Sequence, residues 1–313
     1  IGRKAKAQMK NEKTEATFHS GFAAIVGRPN VGKSSLLNRF VGEKVAIVSP
    51  KPQTTRTRIT GVLTQGDVQF VFIDTPGLHR PKTKLSEWMV KQIKDSVADV
   101  DAAVLVTEPL GKIHPIELEL LQRFRELQLP AILAINKIDT IPKKDVMMEK
   151  ISAFSEQFPF ESVVPVSALT GDGISQLLDE LSCHAKEGPH YFPDDAMTDQ
   201  PERVIVAEII REKLLRYLNE EIPHGTAVTV EQMIDREDKH LIDIHAVIYC
   251  ERDSHKGIII GKQGAMLKKV ASQARQEIES FLGVKVNLQC WVKVKEDWRN
   301  RPGVIRDLGF YES

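Results

Sequence analysis

Gly27-Arg28-Pro29-Asn30-Val31-Gly32-Lys33-Ser34-Ser35 carries the densest chemical signal in this chain, because its spacing fits G-x-x-x-x-G-K-[ST]. The stretch follows an apolar run, 22–26, so it predicts a turn between a strand and a helix. Such a turn points successive backbone N–H groups at an anion and adds the positive end of the helix. Lys33 then reaches the terminal phosphates of a nucleotide, and the Ser34 hydroxyl becomes a ligand for Mg²⁺. Glycine is expected at Gly27 and Gly32 because a side chain would fill the phosphate's space or forbid the backbone angles.

Further motifs follow in order: Thr54-Thr55, Asp74-Thr75-Pro76-Gly77, Asn136-Lys137-Ile138-Asp139 and Ser167-Ala168-Leu169. Asp74 ends an apolar run, where its carboxylate can hold a Mg²⁺-bound water, and the Gly77 N–H can approach a γ-phosphate. A threonine of the preceding loop completes the metal shell, and spacing alone does not separate Thr54 from Thr55. Asn136-Lys137-x-Asp139 also follows an apolar run. Asp139 can accept hydrogen bonds from guanine N1–H and the exocyclic amine, whereas adenine would leave the carboxylate buried and unpaired. Selection of that kind is worth about 10⁴-fold, which favours GTP over ATP. Ala168 would offer its N–H to guanine O6, flanked by Ser167 and Leu169.

These motifs need a scaffold that brings strand ends together. From residue 18 to 185, apolar runs at 22–26, 69–73, 102–106, Ala131–Ile135 and Ser162–Pro165 alternate with helical patterns. Alternation of this kind predicts a mainly parallel sheet covered on both faces, an α/β fold with its site at the carboxyl ends of the strands. Residues 186–201, with three prolines, read as a linker. Residues 1–17 are polar and lysine-rich and read as a flexible extension.

Residues 202–313 form a smaller α+β unit of predicted order α-β-β-α-α-β: a helix at 202–219, runs at 226–234 and Leu241–Cys250, a short helical turn, a helix over Ala265–Leu282 and a strand over Lys285–Val294. Gly261-Lys262-Gln263-Gly264 lies between the last two helical segments, after Lys256-Gly257-Ile258-Ile259-Ile260 and before Lys268 and Lys269. This arrangement reads as a type II KH module, in which a G-x-x-G loop admits a nucleic-acid backbone beside a groove for about four unpaired nucleotides. Ile258, Ile259 and Ile260 are candidates for its apolar floor. Segment 250–306 holds twelve Lys or Arg against six acids, a net of +6 in a chain of formal charge zero, which favours a polyanion partner. Lys293, Lys295, Arg299 and Arg301 are candidate phosphate contacts, and Trp291 and Trp298 are expected mainly in packing.

Hydrophobic content of 42% and charged content of 27% fit an ordinary globular protein, and 313 residues make two domains the default. No apolar run approaches the ~18 residues of a membrane span, and the basic opening lacks a signal peptide's apolar stretch, so the expectation is a cytoplasmic chain. The three cysteines are far apart, which argues against a zinc site or a disulfide framework.

Across residues 18–185 the motif order resembles the translation-factor-related regulatory GTPases. With Pro52-Gln53-Thr54-Thr55-Arg56 in the first switch, Arg252-Asp253-Ser254 before the isoleucines and the KH module behind, the chain from about Phe18 onward is similar to the Era-type GTPases of bacteria. The resemblance implies GTP hydrolysis with Lys33, Thr55 and Gly77 at the γ-phosphate, and Mg²⁺ held by Ser34, Thr55 and, through water, Asp74. It implies binding near the 3′ end of 16S ribosomal RNA, assistance to assembly of the 30S subunit, weak peripheral membrane association and a monomeric state. Leu78 stands where Ras-like enzymes place a water-orienting glutamine, so slow intrinsic hydrolysis is expected. Asn30 resembles an asparagine that in some relatives helps hold K⁺. Two other readings are a signalling GTPase whose basic domain docks protein or lipid, and an ATP-driven remodeler, which Asp139 opposes.

Overall fold

The computed structural model describes residues 17–77, 81–142, 144–236 and 240–310. Its first part is a sheet built on β1 (His19–Gly27), the strand that feeds the phosphate turn. With β2 (Ile59–Gln65), β3 (Val68–Asp74), β4 (Ala102–Thr107), β5 (Ala131–Ile135) and β6 (Ser162–Pro165) the order is β2-β3-β1-β4-β5-β6. All neighbours run parallel except β2, which is antiparallel to β3. The central strands are buried along their whole length, as expected for strands covered on both faces. Helices α1 (Lys33–Val41) and α5 (Ile174–Ser182) pack on one face through Leu36, Leu37, Leu177 and Leu181. On the other, α2 (Lys84–Ala98), α3 (Pro115–Leu127) and α4 (Met148–Gln157) bury Ile93, Val97, Leu120, Phe124 and Phe154.

Strand β2 has no counterpart in the sequence expectations. Its signal was the turn Gln65-Gly66-Asp67, with Gly66 at φ +59°, which folds β2 back onto β3 as a hairpin. The 186–201 segment is also more structured than a linker. Its first residues form β7 (Lys186–Glu187), antiparallel to β1. Beyond them, the N–H groups of Tyr191 and Phe192 donate to Gln69 Oε1 at 2.8 and 3.0 Å, and Val62 N–H donates to Met197 O at 2.8 Å. The segment therefore crosses the outer strands of the sheet, strapped to β3 and β2. The extension assigned to 1–17 lies, apart from residue 17, outside the described residues.

The second part runs α6 (Glu202–Tyr217), β8 (Ala227–Arg236), β9 (Leu241–Cys250), α7 (Asp253–Ile260), α8 (Ala265–Leu282) and β10 (Lys285–Val294). Strand order is β10-β9-β8, with β9 parallel to β10 and antiparallel to β8, the type II KH arrangement. Helices α6, α7 and α8 close one face over Ile209, Ile210, Ile244, Ile248, Ile259, Val270 and Ile278. A terminal helix, α9 (Pro302–Asp307), was not expected from the sequence, although Pro302 at its first position is a start signal.

The two parts meet along two seams. In one, Leu85, Trp88 and Met89 of α2 join Val247, Tyr249, Trp298, Ile305 and Phe310 in a single buried cluster. In the other, α6 is buried on nearly every side, its isoleucines facing its own sheet while Arg211, paired with Glu208, and Glu212 reach the 44–56 segment of the first part. Removing one partner of such a buried pair would leave an uncompensated charge inside the seam.

Candidate nucleotide and RNA sites

The turn from β1 to α1 places Gly27 at φ +149° and Gly32 at φ +97°. Their need for glycine differs from the sequence argument: a Cβ at Gly27 would lie 2.4 Å from the Val106 carbonyl, and one at Gly32 would lie 2.2 Å from Asn136 Nδ2. The loop is therefore held tight by its protein neighbours. Lys33 is buried, and its Nζ donates to the carbonyls of Arg28, at 2.9 Å, and Gly27, at 3.3 Å. Burial lowers its pKa to about 8, against the pull of Asp74, so an ammonium is stored here short of a full counter-charge.

Ser34, Thr55 and Asp74 come together. Ser34 Oγ donates to Asp74 Oδ2 at 2.6 Å, Thr55 Oγ1 donates to the same oxygen at 3.3 Å, and the two hydroxyls are 2.8 Å apart. Thr54 instead donates to Lys51 O at 2.7 Å, so of the two threonines it is Thr55 that faces this cluster. Asp74 Oδ1 is buried with no hydrogen-bond partner among the described residues. Burial raises the Asp74 pKa to about 6, with Lys33, Ser34 and Thr55 opposing. Two hydroxyls and a carboxylate with an unused oxygen are hard donors of the kind Mg²⁺ takes, so the residues fit that ion. Gly77 packs against Pro29, where a Cβ would lie 2.7 Å away, and both line a cavity of about 320 Å³ with Asn30, Lys33, Ser34, Ser35 and Thr55.

A second cavity, about 680 Å³, continues from Gly32 and Ser35 to Asn136, Lys137, Asp139, Ala168 and Leu169. Asp139 is exposed there and accepts from Ser167 Oγ at 2.5 Å, so the expectation of a buried carboxylate holds only once a base covers it. Asn136 stands behind the pocket as a clamp: its Nδ2 donates to Val31 O at 2.8 Å, and its Oδ1 accepts from Ala168 N–H at 3.0 Å. The Ala168 N–H expected to meet the base thus already has a partner. Lys137 Nζ donates to Asn30 O at 2.7 Å, tying the base loop to the phosphate loop. Arg28 turns away to Glu117 at 3.1 Å, and Thr75 is buried and donates to Ile25 O at 3.0 Å, so neither side chain faces the cavities. Val31 is core, and Pro76 is buried beside Thr75. Asn30 adopts φ +66° and its amide donates to Pro50 O at 2.8 Å, joining the phosphate loop to the first switch. Leu78 lies outside the described residues.

Around the second glycine loop the apolar floor divides. Ile259 is fully buried in the domain core and Ile260 packs against that core, leaving Ile258, half exposed, to face solvent. Gly261 (φ +73°) is crowded, since a Cβ would lie 2.8 Å from Met266, whereas Gly264 (φ +78°) has open space around it. Lys262, Gln263, Lys268 and Lys269 are exposed, while Lys256 and Gly257 precede them on α7. Of the other candidate phosphate contacts, Arg299 is held by Glu251 at 2.6 and 3.0 Å and serves the fold. Trp298 is buried and donates to Gly225 O at 2.9 Å.

A phosphate loop, a switch threonine beside a strand-end aspartate and a guanine-reading strand end, followed by a type II KH unit, define a two-domain GTPase of the KH-bearing class. The family described as "50S ribosome-binding GTPase" matches residues 22–137, and the KH domain family matches residues 221–299. The chain belongs to the Era family of GTPases: it is 52% identical to GTPase Era of Clostridioides difficile strain 630, covering 94% of this chain and 99% of that one. GTPase Era of Caldanaerobacter subterraneus is 50% identical over 94% of this chain and 98% of its own. Among solved structures, Aquifex aeolicus Era bound to GDP and aluminium fluoride has a TM-score of 0.91 at 38% identity, covering 94% of this chain and all of that one. An Era complex with MgGDPNP and nucleotides 1506–1542 of 16S ribosomal RNA is equally similar, with a TM-score of 0.91 and 38% identity. The protein is therefore a GTPase with a C-terminal KH domain.

Proposed function

We propose that this chain is a GTP-controlled binder of the 3′ end of 16S ribosomal RNA that assists assembly of the small ribosomal subunit. Residues 18–185 form its GTPase domain, 186–201 the strap between domains and 202–313 its RNA-binding domain. The observation that carries the reading is Arg56. It follows the switch threonine Thr55 directly, yet it is buried in the second domain, donating to Thr226 O at 2.6 Å and His224 O at 2.8 Å. Any nucleotide state that moves Thr55 must therefore move a group embedded in the RNA-binding domain.

Ser34, Thr55 and, through water, Asp74 would hold Mg²⁺, which would neutralise charge on the phosphates. Lys33 and the Gly77 N–H bind the γ-phosphate, while Asp139, oriented by Ser167, reads guanine in the pocket that Lys137, Ala168 and Leu169 line. With Leu78 in place of glutamine, intrinsic hydrolysis is slow. Asn30 would hold a K⁺ ion that would supply further positive charge beside the phosphates, and equal rates in NaCl and KCl would remove that part of the reading. The RNA lies across Ile258 and Lys262–Gly264, with Lys256, Lys268 and Lys269 at its phosphates. The similarity to an Era complex carrying a 16S fragment supports this placement.

The chain works as a cytoplasmic monomer with weak peripheral attachment to the membrane. Among the described residues no helix is long and apolar enough to cross one, and flotation with anionic vesicles tests the attachment. The central experiment is the affinity of fluorescent RNA spanning 16S nucleotides 1506–1542, measured with a non-hydrolysable GTP analogue and with GDP at fixed salt. Tighter binding with the analogue is expected; equal affinities would remove GTP control, and weak binding to both would move the second domain to a protein or lipid partner.

A further inference from the structure

The nucleoside cavity is not built by the GTPase domain alone. Glu212, on α6 of the second domain, lines it beside Lys44 and Val48. Its Oε1 accepts from Val48 N–H at 3.3 Å, and its Oε2 accepts from Lys44 Nζ at 2.6 Å and Lys213 Nζ at 3.1 Å. Both lysines also pair with Glu277 of α8. The result is a closed set of two lysines and two glutamates, with Glu212 and Lys213 almost wholly buried. Burial alone would raise the Glu277 carboxyl, but hydrogen bonds from Lys213 and Lys44 hold it below the usual range.

We propose that Glu212 is a positioning residue for the bound nucleotide, closing the nucleoside end of the pocket from the RNA-binding domain by holding segment 44–48. Through Lys44, Lys213 and Glu277 it ties that closure to α8, whose first residue, Ala265, follows Gly264 of the RNA loop. Three physical facts carry this. Buried charges are tolerated only when paired, so the set specifies one juxtaposition of the two domains and loses it when one member is removed. Segment 44–48 borders the cavity; Asn38 of α1 holds Val45 and Ala46 through its amide, and Glu212 and Glu277 are the charged groups paired with the segment among the described residues. Coupling between ligands is reciprocal: if RNA steadies α8, it tightens nucleotide binding by the same factor by which nucleotide tightens RNA binding, and slower nucleotide release is the kinetic form in which that tightening is read. The proposal rests on the reading of this cavity as the guanine-nucleotide pocket.

The test follows release of a fluorescent (mant) GDP from the full chain, with and without the 16S 1506–1542 RNA, in the wild type, Glu212→Gln, Glu212→Asp and Lys44→Ala. Glu212→Gln keeps an acceptor for Val48 N–H but removes the charge facing two lysines, and release is expected to accelerate about tenfold, a loss of about 1.4 kcal/mol. Turnover at saturating GTP stays near wild type, so KM rises while kcat does not. RNA slows release in the wild type and no longer does so in Glu212→Gln, and Glu212→Asp restores part of both effects. Lys44, about a third exposed, is the safer variant for folding, and Lys44→Ala is expected to repeat the faster release and the lost RNA effect. Wild-type release rates in folded Glu212→Gln and folded Lys44→Ala would overturn the proposal. A wild type that fails to bind mant-GDP would instead overturn the nucleotide reading beneath it.

Discussion

The guanidinium carbon of Arg56 lies 5.8 Å from the centre of the Trp298 ring, a first-switch residue stacked on the core of the RNA-binding domain. Trp298 in turn stacks on Phe310 at 5.7 Å, and Phe310 meets Trp88 of α2 edge-on at 6.3 Å. The first switch and the helix after Gly77 thus converge on one aromatic cluster. The cation is desolvated against an aromatic face and two carbonyls accept from it, while its Nε is buried with no hydrogen-bond partner among the described residues.

Replacing Arg56 by alanine leaves the carbonyls of Thr226 and His224 unpaired in a buried site, at a cost of about 2 to 4 kcal/mol in all. Urea unfolding of the full chain measures this. Because Thr55 is the neighbouring residue, affinity for a GTP analogue with Mg²⁺ is expected to fall about tenfold more than affinity for GDP. Equal losses for both nucleotides would mean that Arg56 supports the fold without supporting the switch.

Asp74 makes the nucleotide-free protein sensitive to pH. Its pKa is raised from 3.8 to about 6 by burial, so between those values the folded state holds a proton that the unfolded chain has released. Stability from this group is greatest below about pH 4 and declines as pH rises through 6, by on the order of 3 kcal/mol. In Asp74→Asn that decline disappears. Unfolding free energies of the two proteins, compared from pH 4 to 7.5 without nucleotide, should diverge in favour of the variant as pH rises; parallel curves would contradict the burial argument.

Gly264→Asp is the cleaner probe of the RNA loop. Its positive φ costs a side chain about 1 kcal/mol, but open space surrounds it, so the fold should survive with a carboxylate where an RNA phosphate would pass. GTP hydrolysis is expected unchanged and RNA affinity reduced at least a hundredfold, about 2.7 kcal/mol. Gly261→Asp is less informative, because its Cβ would press on Met266 and disturb α8 whether or not RNA binds.

Asp139→Asn should convert guanine preference towards xanthine, since an amide donates where the carboxylate only accepts. Competition between GTP and XTP for the protein measures it. Ser167 Oγ now donates to Asp139 and can accept from the asparagine amide, so the loop should keep its shape.

Local sequence patterns determined much of this protein. The phosphate loop, the strand ends at Asp74 and Asn136, and the bounds of β5, β6, β9, α8 and β10 were legible because short-range periodicity and turn chemistry specify them. The KH order was legible for the same reason. What only the tertiary structure decided lies between elements far apart in sequence. Thr54 and Thr55 are indistinguishable as residues, and it is the path of the loop between Asn30–Pro50 and Arg56–Thr226 that turns Thr55 towards Ser34. Ile258 and Ile259 read alike, yet the helical turn sends one to solvent and the other to the core. Glu212 carried no motif at all: a charged residue on a helix reads as a solvated face until another domain, more than 160 residues away in sequence, supplies Lys44 and Val48. Spacing records what a backbone does over one or two turns, whereas pairing across domains depends on how two separately formed cores come to rest against each other.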